Sequence, residues 1–148
     1  MNILFFLTPK SEVAYIYEDY TMRQTLEKME YHRYSAIPII DKDGKYVGTI
    51  TEGDLLWTLK NEFYLDLKSI EDVPVASVKR RMDNTPVSVN ANIEDLISKS
   101  MNQNFVPVID DQKTFIGIIK RRDIIDYCYK KICAQEINEK ENRIYKEA

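Results

Sequence analysis

Two hydrophobic periodicities alternate along the chain. Met22, Leu26 and Met29 stand at i, i+4 and i+7, one face of a helix. Thr21 and Gln24 have capping-box spacing, so this helix begins at about Met22 and should end between Tyr31 and Tyr34. The pattern then changes. Ala36-Ile-Pro-Ile-Ile40 is a continuous apolar run, suited to a strand covered on both faces. Pro38 removes a ladder donor, which predicts a short strand or one at a sheet edge. Asp41-Lys-Asp-Gly44 has the composition of a hairpin turn. Tyr46–Thr51 reads as the returning strand, and Glu52 opens a second helix that runs to about Phe63. Ahead of the first helix, Val13–Tyr17 is short and rich in strand formers. The predicted order is strand, helix, strand, strand, helix.

The same pattern then recurs. Pro38 and Pro107, Asp41 and Asp110, Gly48 and Gly117, and Asp54 and Asp123 are each 69 residues apart. An ungapped repeat of this kind is one structural unit built twice. In the second copy Val87–Val89 is the first strand, and Ile93, Leu96, Ile97, Ser100 and Met101 mark a helical stripe. Phe105–Asp110 and Phe115–Lys120 form the hairpin, and Arg121 begins the last helix. Residues 1–64 thus read as the first repeat and 65–73 as a polar linker. Residues 74–134 read as the second repeat, with a lead-in at Pro74–Met82. Residues 135–148 are rich in Glu, Lys and Asn, and suggest a fraying helix extension or a partner-contacting arm. Two like units usually pack as a pair, and the seam between them is a natural ligand cleft.

Composition narrows the class of function. With 148 residues, 44% hydrophobic and 30% charged, the chain suits a soluble protein with one core or two small ones. A net charge of −3 argues against a nucleic-acid-binding body. The basic runs Lys79-Arg80-Arg81, Lys120-Arg121-Arg122 and Lys130-Lys131 read as solvated faces. Met1–Leu7 is apolar but lacks the basic flank of a signal peptide, and no run approaches the roughly 20 apolar residues that span a bilayer. Neither nucleic acid nor a membrane is expected as a partner. Cys128 and Cys133 lie on different faces of one predicted helix, with no zinc-ligand spacing around them. A reducing cytoplasm is the expected setting.

Glycine is scarce, and two of the four glycines fall at matching mid-strand positions, Gly48 and Gly117. Such a glycine marks a bulge, or close approach by a ligand or another backbone. Beyond Gly48, Thr51 and Asp54 straddle a strand-to-helix junction. Thr51 is either an N-cap or a hydroxyl at a helix N-terminus that attracts phosphate. Asp54 can accept two hydrogen bonds from a cis-diol. Chemically, Gly-x-x-Thr-x-x-Asp is a ribose-phosphate clasp. His32, the only histidine, sits at a helix end without a partner by spacing. No P-loop, HExxH or Gly-x-Ser-x-Gly pattern occurs, so the sequence supports neither a catalytic set nor a metal site.

The doubled pattern of Ala-Ile-Pro-Ile-Ile-Asp, Gly and Thr-x-x-Asp resembles the cystathionine-β-synthase (CBS) domain. Two in tandem resemble the Bateman module, over about Thr8–Cys133. The resemblance implies an α+β fold of two βαββα repeats about a pseudo-two-fold axis, dimerising into a disk of four repeats. It also implies clefts for an adenosine compound: AMP, ADP, ATP, S-adenosylmethionine or cyclic di-AMP. Carried over, Thr51 and Asp54 would hold phosphate and ribose, with adenine against Val75, Ala76, Asn104, Phe105 and Val106. A weaker second site would use Ser35, Ala36, Ile37, Lys120, Arg121 and Asp123. There Lys120 replaces the threonine, which leaves either a site for a more highly charged ligand or a dead one. The expected function is a regulatory binding module, not an enzyme. It would need no cofactor beyond the regulatory nucleotide, and would act as a homodimer that signals to an effector protein. A scaffold with degenerate pockets is the alternative. A small nucleotide-processing enzyme ranks third, because no general base accompanies the clasp.

Overall fold

The structure, a computed structural model, describes residues 2–147. Its strands are β1 (Leu7–Pro9), β2 (Ile16–Tyr17), β3 (Ala36–Ile40), β4 (Tyr46–Thr51), β5 (Val87–Ser88), β6 (Phe105–Ile109) and β7 (Phe115–Lys120). Its helices are α1 (Met22–His32), α2 (Glu52–Phe63), α3 (Ile93–Ser100) and α4 (Arg121–Glu147). Capping boxes start three of them: Thr21 with Gln24, Thr51 with Asp54, and Asn92 with Asp95. Each box satisfies two amide donors that the first helical turn cannot. The first strand is shorter than the sequence suggests, because Val13 turns instead into the contact between repeats. The Glu-, Lys- and Asn-rich tail continues α4 as helix to Glu147.

The strands form two sheets, β2-β3-β4 and β1-β7-β6-β5. β3 is a central strand, not an edge. Pro38 is tolerated there because β2 pairs only with Ile39 and Ile40 and stops short of it. Pro107 repeats the arrangement in β6, where β5 reaches only Val108 and Ile109.

Each repeat sends its leading segment into the other. β1 pairs antiparallel with β7, and Ile3 is buried with Leu96, Val106, Val108 and Ile119 in the second core. In return, Ile70, Val75 and Val78 are buried with Met22, Met29, Ile37 and Leu55 in the first core. The stretch 65–73 is therefore more than a polar bridge. Its 3-10 turn Leu67–Ile70 anchors it through Ile70.

The matched glycines serve this exchange. A Cβ on Gly117 would collide with the Thr8 carbonyl oxygen of β1, and one on Gly48 with the Asp83 carboxylate. What approaches them is the crossing segment, not a ligand. A third buried cluster joins the repeats along the pseudo-axis, including Ala36, Phe105, Ile40 and Phe115. Equivalent residues meet there. Tyr46 stacks on Phe115 with centroids 6.2 Å apart, and Lys45 bridges Thr114.

These contacts rank two substitutions. Gly117→Ala presses on backbone at φ +155°, and should destabilise by about 2 kcal/mol or more. Gly48→Ala presses on a side chain that can rotate away, so it should cost about 1 kcal/mol, the value of the lost Asp83 bond. Urea unfolding of both variants checks the order.

Candidate functional site

Thr51 and Asp54 sit where β4 passes into α2. The Thr51 hydroxyl oxygen accepts from the Asp54 amide at 3.1 Å, and Asp54 Oδ2 accepts from the Thr51 amide at 3.0 Å. Asp54 Oδ1 accepts from the Arg81 amide at 3.1 Å. The capping role of Thr51 is thus realised, but it does not exhaust either residue. A carboxylate has about four lone-pair sites, and the threonine O–H remains free to donate.

The Arg81 bond belongs to a longer attachment. Asp83 Oδ1 accepts from the Thr49 amide at 2.9 Å and from Arg80 Nε at 2.7 Å. Asn84, buried, joins both repeats. Its carbonyl accepts from the Tyr46 hydroxyl at 2.6 Å, and its side-chain amide donates to the Phe105 carbonyl at 3.1 Å and Asn104 Oδ1 at 3.3 Å. Tyr46 has one proton and gives it to Asn84, so Thr49 must donate to the phenol oxygen. Burial pushes the Tyr46 phenol far above its usual range and keeps it a neutral donor. Buried Gln103 then fixes Thr85, accepting from its amide at 2.8 Å and donating to its carbonyl at 3.1 Å.

These attachments wall a cleft of about 340 Å³ between the repeats. The first repeat gives Ser35, Ala36, Thr51 and Asp54. The crossing segment gives Arg81, Met82 and Asn84, and the second repeat gives Asn102, Asn104 and Arg121. Arg121 Nε donates to the Gln103 carbonyl at 3.0 Å, which orients the guanidinium, and its terminal nitrogens have no hydrogen-bond partner among the described residues. A neighbouring hollow of about 280 Å³ shares Ser35, Ala36 and Asn104, and adds Arg33, Tyr34, Phe105, Lys120 and Arg122.

The structure gathers some of the sequence candidates and separates others. Ser35, Ala36, Thr51, Asp54, Asn104 and Arg121 share the larger cleft, and Phe105 and Lys120 line the smaller. Ile37 and Val106 lie beneath, fully buried in the two cores. Val75 is a core residue of the first repeat and Ala76 is exposed, and neither lines the two hollows. On this side the cleft is lined by Arg81, Met82 and Asn84, further along the lead-in than Val75 and Val78, which are packed in the first core. Asp123 faces another depression, with Phe5, Leu7 and Thr8. Lys120 has no oxygen to cap α4, so the second copy loses the clasp geometry along with the hydroxyl. The sequence reading missed Arg81, Met82, Asn84 and Asn102. Thr8-Pro9 recurs as Thr85-Pro86, a signal that could have aligned the two crossing segments.

The model of the CBS domain matches this chain twice, at residues 6–61 and 71–130. The chain belongs to the CBS domain family. It is 24% identical over 139 residues to the uncharacterized protein MJ1426 of Methanocaldococcus jannaschii, covering 75% of this chain and 83% of that one. It is 30% identical over 118 residues to an inosine-5'-monophosphate dehydrogenase of the same organism, where those residues are 77% of this chain but only 21% of the enzyme. Among solved structures, CbpB in complex with c-di-AMP superposes with TM-score 0.77 at 24% identity, covering 94% of this chain and 91% of that one. CBSX2 in complex with AMP superposes with TM-score 0.67 at 22% identity, covering 87% and 96%. These likenesses establish the tandem CBS fold. Among the described residues, no helix is long and apolar enough to cross a membrane.

The cap bonds at this CBS cleft make two stability predictions. Thr51→Ala should cost about 1 kcal/mol, the usual worth of an N-cap. Asp54→Ala should cost more, about 2–3 kcal/mol, because the Thr51 and Arg81 amides both lose a charged acceptor. Chemical denaturation of the unliganded proteins measures both.

Proposed function

We propose that this CBS protein is a cytoplasmic regulatory module that binds an adenosine nucleotide in the cleft between its repeats and reports it to an effector protein. One observation carries the reading. Thr51 and Asp54 of the first repeat face Asn104 and oriented Arg121 of the second across one cleft. Asp54 retains acceptor capacity for a ribose diol, and the Thr51 hydroxyl and Arg121 suit a phosphate. The AMP and c-di-AMP complexes of similarly folded proteins support the same ligand class. No enzymatic step is assigned. A ligand that touches both repeats favours one arrangement of them, and a partner reads that arrangement.

The homodimer is assigned to the helical face of the first repeat. There α1 and α2 border an apolar hollow of about 530 Å³, with Leu26, Met29, Leu55, Leu56, Leu59 and Leu67 along it. Leu56 is 48% exposed and Leu67 likewise 48%, leaving apolar surface for a second copy to cover.

Thermal unfolding against a panel of AMP, ADP, ATP, S-adenosylmethionine and cyclic di-AMP tests the ligand. A true ligand at a hundred times its Kd should add about 2.7 kcal/mol of stability. Flat curves with all five would move the assignment to a scaffold with degenerate pockets. For the dimer, Leu56→Glu should give a folded monomer by light scattering at concentrations where the parent is a dimer.

A further inference from the structure

Resting on the nucleotide-binding reading, we propose that the run Lys120-Arg121-Arg122 serves both hollows at once and selects ligands with two or more phosphate groups over nucleoside monophosphates. The chain carries a net charge of −3, yet its cations gather at this seam. Arg81 and Arg121 line the larger hollow, and Arg33, Lys120 and Arg122 the smaller. None of the five takes part in an ion pair among the described residues. Among the described residues, Asp54 is the only carboxylate lining either hollow, and both its oxygens already accept amide hydrogens. Three consecutive cations without an ion-pair partner repel one another, and a bound polyanion relieves that repulsion more than solvent does.

The cations are also divided. Lys120 ends β7 and Arg121 opens α4, so neighbours in sequence point into different hollows. One phosphate seated beside Thr51 and Arg121 leaves Lys120, Arg122 and Arg33 unsatisfied. A second phosphate group placed across the Ser35–Asn104 seam would meet them. Two kinds of adenine ligand have that chemistry: a polyphosphate chain, as in ATP, or two phosphates held apart in a ring, as in cyclic di-AMP.

Calorimetric titration with AMP, ATP and cyclic di-AMP tests this. At least one of the two multi-phosphate ligands should bind about tenfold or more tightly than AMP, the worth of one added charge-assisted contact. That advantage should shrink as salt is raised. ATP ahead identifies the chain of phosphates, and cyclic di-AMP ahead the separated pair. In the Lys120→Gln, Arg122→Gln double variant the ratio to AMP should fall towards one. Lys120→Thr is the folding control. It rebuilds on α4 the Thr-x-x-Asp pattern that caps α2, so it should melt no lower than the parent while losing part of the ratio. AMP binding as tightly as both other ligands, or a ratio unchanged in both variants, overturns this proposal and leaves nucleotide binding intact. Failure of all three nucleotides to bind overturns the functional reading itself, and this one with it.

Discussion

The cleft depends on residues 81–85 being held against both repeats simultaneously. This stretch has no helix or strand of its own, and its polar groups are satisfied by side chains from both sides. Asn84 accepts from Tyr46 of the first repeat and donates to the start of β6 in the second. Asp83 takes the Thr49 amide in the place where, in the other repeat, β1 lies along β7. A buried amide that loses such a partner costs its full desolvation. The segment is therefore held at a single position, and the cleft wall with it. Tyr46 contributes twice, by hydrogen bond to Asn84 and by stacking on Phe115. It ties the wall to the pseudo-two-fold axis.

The exchange of leading segments makes the two repeats mutually dependent. β1 completes the sheet of the second repeat, and Ile70, Val75 and Val78 complete the core of the first. Neither repeat buries its apolar surface alone. For a chain of 148 residues divided in two, this sharing matters, because small domains bury too little surface to be robust separately. It also means that the cleft is formed by the same contacts that hold the repeats together, so the shape of the cleft and the cohesion of the pair draw on one set of groups.

Much of this was legible in the sequence. Local patterns set the elements: the capping boxes at Thr21 and Thr51, the apolar run around Pro38 and the turn at Gly44 all lie where the residues indicate. The constant offset between copies revealed the duplication, and the spacing of Thr51 and Asp54 placed both at one strand-to-helix junction. What was not legible is non-local. Val75 resembles a cleft residue by position, but is drawn into the first core by Met22 and Ile37, far away along the chain. Gly48 announced a close approach without naming what approached, since Asp83 lies 35 residues on. The junction between Lys120 and Arg121 was legible, but the basic run still read as one solvated face, because the hollow each side chain lines is set by residues distant in the chain, such as Arg33, Ser35 and Arg81.

That same junction begins the longest element of the molecule. α4 runs without interruption for 27 residues, about 40 Å at 1.5 Å per residue. Its first residue is fastened at the cleft by two bonds, the Arg121 amide to the Asn104 carbonyl at 3.1 Å and Arg121 Nε to the Gln103 carbonyl at 3.0 Å. An unbroken helix rooted in this way is a lever with its fulcrum at the cleft between the repeats. A tilt of about 5° at the root, too small to disturb the hydrogen bonds there, carries the far end through about 3.5 Å over that length. A displacement of that size exceeds the diameter of a water molecule, and it occurs on a surface of Ile137, Ile144 and Tyr145 that is open to solvent.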